Sequence, residues 1–481
     1  MEDRGLQLLG SKPDRELDLL LINSPLRDYS LRPRVNDFTL PVLGLAYIAT
    51  YASSQGFNVA VLDAESLGLT IVETVAAINE AAPRWAGFNL LAPTYEMSAT
   101  IVSGLDTAIN VMLGGHQARA LPQRILRDPR MSRCKSLIIG EAELRVNELL
   151  GDLKARERLP LVHWLDDDGN LCSGSLLQNR PEFLSPDINQ LPFVDRSFLI
   201  DDPVVIGDRL RSSMVGARGC PYNCSFCGAA VSANPDVTIR VRDPQNIIDE
   251  MRRLHTDLRV SSFRFVDDLF LGSKRVISTM MESFIEAEIG TWASWDATGR
   301  INVLDRIDSA DFIRLNRAGL TEVAVGIESG SDRVLKLIDK RIDTEMVKRV
   351  VRRLISAGIN VKGYFIFGFP TETAAEIDAT IALVNDLWTL SDAGPGTFRA
   401  SAFEYRPYPG TPDWDRLLRT GDYSIEELLD YQPIDLTSER GDSMRQRDEF
   451  NFAITRDLAE ADRHIVRSAV TAIALEQHAR R

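Results

Sequence analysis

The sequence predicts an α/β protein in two parts: a doubly wound, Rossmann-like parallel sheet, then a partial (β/α)6 barrel of the TIM type, with a helical C-terminal extension. Three observations predict it. Short apolar runs alternate with amphipathic stretches over residues 17–150, the pattern of parallel strands covered by helices on both faces. The alternation stops over 151–205, a turn-rich stretch, and then resumes with six further strand-like runs from Arg211 onward. A chain of 481 residues also exceeds one ordinary core.

The elements follow in order. "LDLLLINSPL" from Leu17 is an apolar run ending at Asn-Ser-Pro, a buried strand. "LPVLGLAYIATYASSQGFNVAVLDAE" gives a helix, a stop at Gly56 and a second strand. "TIVETVAAINEAAPRWAGFNLLA" repeats helix, Pro83 and strand, before a helix over Tyr95 to Asn110 and the strands "VMLGG" and "KSLIIG". "LVHWLDDDGNLCSG" reads as a hairpin about Asp-Gly-Asn. The later strands are "RSSMVGARGC", "SSFRFVDD", "IGTWASWDATG", "LTEVAVGIESG", "INVKGYFIFGFP" and "GTFRASAFEYRPYPG", separated by helical patterns such as "TEMVKRVVRRLISAG". The expected domains are 1–150, the doubly wound sheet; 151–205, a linker with a hairpin; 206–412, the partial barrel; and 413–481, a helical region.

Composition narrows the function. The chain is 44% hydrophobic and 26% charged, and no apolar run approaches the ~20 residues of a membrane span. The charged opening "MEDRGLQLLGSKPDREL" does not read as a secretory signal, so a cytoplasmic protein without a membrane partner is expected. A formal charge of -14 argues against nucleic acid as a partner.

Three of the five cysteines, Cys220, Cys224 and Cys227, fall in "RGCPYNCSFCG", among loop-forming residues. An odd cysteine count in a large chain does not suggest a disulfide framework. A closed zinc site needs four ligands, and no fourth cysteine or nearby histidine is offered. Three thiolates on a [4Fe–4S] cluster leave one iron open.

"CPYNCSFCG" resembles the signature of the radical S-adenosylmethionine (radical SAM) enzymes. The resemblance implies a [4Fe–4S] cluster on Cys220, Cys224 and Cys227, with S-adenosylmethionine on the open iron, split to methionine and a 5'-deoxyadenosyl radical. Phe226 would lie near the adenine, with Gly228 also among the cofactor-binding residues. "FRFVDDLF" offers Asp268, and more weakly Asp267, to the cofactor amine or substrate hydroxyls. Arg300 in "WDATGRINV" suits the methionine carboxylate, and "VGIESG" puts Glu328 at a strand end. "GYFIFGFPTET" resembles the family's Gly-x-Ile-x-Gly-x-Pro-x-Glu-Thr element, whose Gly368 would let backbone approach the adenine and ribose.

The first domain resembles the cobalamin-binding domain often fused to these enzymes, through "LPVLGLAYIATYASSQGFNVAVLDAE", "VMLGGHQARALP" and "IIGEAE". Gly114 and Gly115 would open a loop against the corrin. The Asp-x-His-x-x-Gly signature of a cobalt-ligating histidine is missing, and His116 reads as an ordinary loop residue. The implied function is cobalamin-dependent C-methylation of a small molecule in secondary metabolism, such as antibiotic biosynthesis. An electron donor such as flavodoxin or ferredoxin would serve it.

The alternative keeps the radical step without methyl transfer: dehydration, deoxygenation, epimerisation or ring closure of a sugar-like substrate, with the first domain as scaffold. Tyr222, Tyr364, Tyr405 or Tyr408 would then return a hydrogen atom. RNA methylthiolation lacks its second cysteine triplet and basic RNA-binding domain here, and a cluster or cobalamin sensor would not need the S-adenosylmethionine blocks. Glu404, Tyr405 and Arg406 are candidates to face substrate.

Overall fold

The computed structural model describes residues 8–31, 41–175, 181–433 and 452–480. Two compact units divide them. One holds the described residues up to Asp202, with Asn234–Val237 and Phe452; the other holds the rest.

The first unit is built on a seven-stranded sheet: β1 (Leu19–Asn23), β2 (Val59–Asp63), β3 (Trp85–Asn89), β4 (Asn110–Gly114), β5 (Cys134–Ile138), β6 (Val162–Leu165) and β7 (Leu171–Ser173), in the order β2-β1-β3-β4-β5-β6-β7. The first five strands are parallel. Strand order reverses between β1 and β3, the switch point at which doubly wound sheets open a crevice for ligands. Leu19, Leu20, Leu21 and Ile22 are all buried, as a strand covered on both faces requires. The helix Ile71–Ala81 starts on a capping box between Thr70 and Glu73. The helix expected over Tyr95 to Asn110 stops at Ser103, with Gly104 as its C-cap. Residues 151–205, expected as a linker, include β6 and β7, which pair antiparallel along the β5 edge. The hairpin covers hydrogen-bonding groups that an edge strand would leave open, and the unit runs on to Asp202.

The second unit contains β8 (Val204–Ile206), β9 (Arg209–Met214), a two-residue ribbon of β10 (Ala217–Arg218) with β11 (Arg240–Val241), then β12 (Ser262–Phe265), β13 (Ser294–Gly299), β14 (Leu320–Glu328), β15 (Asn360–Phe367) and β16 (Phe398–Glu404). The main sheet has the order β16-β15-β14-β13-β12-β9-β8. Its six strands from β9 to β16 are parallel and lie in chain order, a (β/α)6 half-barrel, while β8 is antiparallel on the edge. "IGTW", expected to begin a strand, is a short helix, Ile289–Trp292, which starts after Glu288 in the left-handed region.

Alternation along the strands sorts the two faces. Phe263, Trp295, Val323, Val325, Val361 and Phe365 join the helices in one core. The helix Thr344–Ser356 shows the matching period, burying Val347, Val350, Val351, Leu354 and Ile355. The C-terminal region contains the helices Pro412–Thr420, Ile425–Leu428 and Arg463–Ala479 with two three-residue strands, β17 (Tyr431–Pro433) and β18 (Phe452–Ile454). The last helix docks on β16 through Gln477, whose Oε1 accepts from Ala400 N at 2.6 Å and Trp388 Nε1 at 3.1 Å. Among the described residues no helix is long and apolar enough to cross a membrane.

Candidate active site

The cysteine loop leaves the carboxyl end of β9, where active sites of such barrels gather. Its entry is pinned before the first cysteine. The Asp267 carboxylate, just past β12, accepts from Gly216 N at 2.9 and 3.1 Å and from Ala217 N at 3.0 Å. Gly216 has to be glycine, because a Cβ there would lie 2.4 Å from the Phe270 ring. Burial pushes the Asp267 carboxyl up to about 7 against the pull of those two N–H groups.

Within the loop, Ser225 N donates to Ile338 O at 3.0 Å and Val231 N to Tyr222 O at 2.9 Å. Cys224 is buried and Cys220 and Cys227 are half-buried. Burial pushes the Cys220 thiol up and the Cys227 thiol up to about 12. The charge of Asp268, whose residue is exposed, pushes both the same way, so Asp268 stands beside the loop.

Arg300 joins the loop to the strand ends. Its Nη1 donates to Cys224 Sγ at 3.2 Å, its Nη2 to Lys340 O, and its guanidinium carbon lies 3.7 Å from the centre of the Tyr222 ring. Expected to meet a methionine carboxylate, it engages both terminal nitrogens with the chain itself. Lys340 in turn donates from Nζ to Glu328 Oε1 at 2.6 Å, and its ammonium stands 5.7 Å over the Phe226 ring. Glu328 sits at the end of β14 with φ +70, a conformation costly for a side-chain-bearing residue and one that clusters at functional sites. Gly326 makes room for the pair: a Cβ there would be 2.2 Å from Glu328 Oε1 and 2.5 Å from Lys340 Nζ.

Phe226 packs edge-on against Phe369, with ring centres 5.6 Å apart, which places the loop next to the end of β15. Gly368, at φ +90, precedes Phe369, and both backbone N–H groups are held by Glu372 Oε2, at 2.6 and 3.1 Å. Burial raises Glu372 to about 7, and its Oε1 has no hydrogen-bond partner among the described residues.

Among the expected residues, Cys220, Cys224, Cys227, Phe226, Asp268, Arg300 and Glu328 therefore gather around one loop, with Gly368 one residue from the Phe226 contact and Gly228 directly after Cys227. Sequence reading missed Lys340, a lone lysine in an irregular connection with no periodicity or motif to mark it. It also gave Asp267 second place, although the backbone of the loop entry rests on it. Tyr405, a candidate hydrogen donor, is buried and donates to Asp413 Oδ2 at 3.2 Å.

In the first unit Gly114 ends β4 and Gly115 follows at φ +95. A Cβ on Gly115 would sit 2.3 Å from Asn89 Oδ1 and 2.6 Å from Leu90 O, so the chain's own packing requires glycine there. His116 is exposed and opens the five-residue helix His116–Ala120.

The donor set fits an iron–sulfur cluster. Thiolates are soft ligands, and three of them fall short of a closed tetrahedral zinc site. Among the described residues no three His, Cys, Asp or Glu side chains converge on a single metal ion.

The sequence model of the radical SAM superfamily matches residues 214–384, from the end of β9 and the cysteine loop to beyond β15, and that of the B12 binding domain matches residues 35–150. Residues 214–384 thus form a radical SAM domain, and the homologues indicate an enzyme of this class. The chain carries an N-terminal B12-binding domain, the arrangement of cobalamin-dependent radical SAM methyltransferases and their relatives. A Pyrococcus horikoshii protein named an uncharacterized methyltransferase is 28% identical over 407 residues, covering 83% of each chain. The cytidylyl-2-hydroxyethylphosphonate methyltransferase of Streptomyces wedmorensis is 24% identical over 443 residues, 80% of this chain and 79% of its own. In fold, the chain is similar to the radical SAM methyltransferase TsrM of Kitasatospora setae, solved with cobalamin and a [4Fe–4S] cluster bound. The TM-score is 0.62 at 16% identity, covering 88% of this chain and 77% of that one.

Proposed function

We propose that this enzyme methylates a carbon atom of a small-molecule substrate. In this reading Cys220, Cys224 and Cys227 hold a [4Fe–4S] cluster, Phe226, Gly228, Asp268, Arg300, Glu328 and Gly368 surround S-adenosylmethionine, and Gly114 and Gly115 face a cobalamin. Those groups, when bound, supply one-electron cleavage of a sulfonium and a transferable methyl.

The chain's own residues prepare the ground. Asp267 fixes where the cysteine loop starts, by accepting two backbone N–H groups. Arg300 brings positive charge to Cys224 Sγ and holds the 340 backbone. The Glu328–Lys340 pair puts a carboxylate and an ammonium next to Phe226 without exposing either. Glu372 locks the Gly368–Phe369 turn.

The observation that carries the reading is the B12 binding domain match ahead of the radical SAM match, together with relatives named methyltransferases, while the link from Cys224 through Arg300 and Lys340 to Glu328 ties the thiol loop to the ends of two barrel strands. The test is anaerobic reconstitution with iron, sulfide, hydroxocobalamin and S-adenosylmethionine, assaying bound corrin, 5'-deoxyadenosine and methylated product. Cobalamin-free protein that forms 5'-deoxyadenosine, but never transfers a methyl from labelled S-adenosylmethionine, would overturn the methylation.

A further inference from the structure

Ser225 and Phe226 separate Cys224 from Cys227, and both are gripped from outside the loop. Ser225 is held on both sides of its backbone: its N–H donates to Ile338 O at 3.0 Å, and its carbonyl accepts from Asp413 N at 2.8 Å. Phe226 is held by its ring, edge-on to Phe369. A two-residue spacer governs how the thiols on either side of it leave the chain, so a grip on the spacer acts on the ligands.

Both grips lead to Tyr405. Its ring centre lies 5.0 Å from that of Phe369, the residue against which Phe226 packs. Its hydroxyl donates to Asp413 Oδ2 at 3.2 Å. Tyr405 N donates to Phe367 O at 2.7 Å, which fixes the residue itself to the end of β15.

The Asp413 end is equally fixed. "YPGTPDW" opens the nine-residue helix Pro412–Thr420, and a helix start leaves N–H groups without partners. Pro412 has none to satisfy. Trp414 N donates to Thr411 Oγ1 at 3.3 Å, and Asp413 N takes the Ser225 carbonyl. The Thr411 hydroxyl is oriented by its own donation to Tyr408 O at 2.7 Å. The Asp413 side chain is fully buried, and a carboxylate so placed needs partners. The Tyr405 hydroxyl and Arg416 Nη2, 2.7 Å from Oδ1, supply them. Tyr405 is itself 5% exposed with its O–H engaged by that carboxylate. A tyrosine that returns a hydrogen atom to substrate has to present its O–H to the substrate instead.

We infer that Tyr405 and Asp413 form a strut that sets the pose of the spacer between Cys224 and Cys227, which makes Tyr405 a positioning residue for those thiols and not a hydrogen donor to substrate. The consequence for catalysis rests on the reading of the thiols as cluster ligands. The mechanics rest on the contacts of the chain alone.

Hydrogen exchange of the metal-free full chain, followed peptide by peptide, tests the mechanics without a cluster. Tyr405→Phe keeps the ring and removes the hydroxyl. Exchange there should quicken about tenfold over both 411–416 and 218–230, and stay as in the parent elsewhere. Asp413→Asn still offers an oxygen to the Tyr405 hydroxyl and should show a smaller change. Circular dichroism checks that the variants fold, and Asp413→Ala, which removes the strut from its other end, serves if Tyr405→Phe does not. After reconstitution with iron and sulfide, the electron paramagnetic resonance of the reduced cluster should shift in Tyr405→Phe at unchanged iron content. Formation of 5'-deoxyadenosine without substrate should slow about tenfold with it. A hydrogen donor to substrate would move neither. Quickening confined to 411–416, uniform quickening along the chain, or an unaltered resonance would each overturn the strut. A parent chain that assembles no cluster on its three cysteines overturns the cluster reading instead, and the exchange result still decides the strut.

Discussion

Arg300 Nη1 lies 3.2 Å from Cys224 Sγ, and the same guanidinium covers the face of Tyr222. A buried cation that donates to a thiolate favours the more negative state of whatever metal centre that thiolate holds. Replacing Arg300 with Met should therefore lower the midpoint potential of the reconstituted cluster, with iron content retained. A differential loss of about 1.4 kcal/mol corresponds to about 60 mV for one electron. Arg300→Lys should recover part of the shift, since it keeps the charge without the fork. A redox titration followed by electron paramagnetic resonance reads it. An unchanged potential would remove the tuning role.

Stability should fall as pH rises from 6 to 8. Asp267 and Glu372 both have folded pKa values raised by burial to about 7. For such a group the stabilisation is complete below the unfolded pKa, near 4, and is lost as pH climbs through the folded value. Each contributes about 1.4 kcal/mol of loss between pH 6 and pH 8. Urea melts of the apo-protein at the two pH values measure the difference, and Asp267→Asn or Glu372→Gln should each remove about half of it. A flat profile in the parent chain would contradict both assignments.

The two carboxyls also show what the sequence made legible. Strand–helix alternation reports burial, so the parallel sheets and the six barrel strands could be read directly, and the cysteine spacing marked its own loop. Hydrogen bonds from side chain to distant backbone leave no such trace. Asp267 reaches Gly216 across 51 positions, and the sequence alone gives Asp267 and Asp268 equal chemistry. "IGTW" was misread for a related reason: its apolar residues suit a strand, but the turn at Glu288 sets a helix first. Lys340 leaves no such trace because it lies in an irregular connection and pairs with a strand end twelve residues away, which has no period.

That ion pair can be weighed directly. Lys340→Met leaves Glu328 buried without its cation, a loss of about 3–5 kcal/mol. Glu328→Gln alone should cost less, since the amide remains an acceptor, and Lys340→Met/Glu328→Gln should recover much of the deficit. Gly326→Ala should resemble Lys340→Met, because its Cβ would stand 2.2 Å from Glu328 Oε1. Thermal and denaturant melts of the parent chain, the two single variants of the pair and their double variant form the cycle. Additive losses would mean that the pair is not coupled.

Gly114 and Gly115 separate fold from ligand in the first unit. Among the described residues a Cβ on Gly114 would meet only Ile138 O, at an ordinary 3.6 Å, so Gly114→Ala should leave the melting temperature unchanged. Gly115→Ala has to place a Cβ on Asn89 and Leu90 at positive φ, which should lower stability by several kcal/mol. If the β4 end faces a corrin, hydroxocobalamin binding by Gly114→Ala should weaken tenfold or more at unchanged stability, read from the bound corrin absorbance. Binding lost only in Gly115→Ala, in step with its melting temperature, would show that these glycines serve the chain's packing and that any corrin contact lies elsewhere along the switch-point loops.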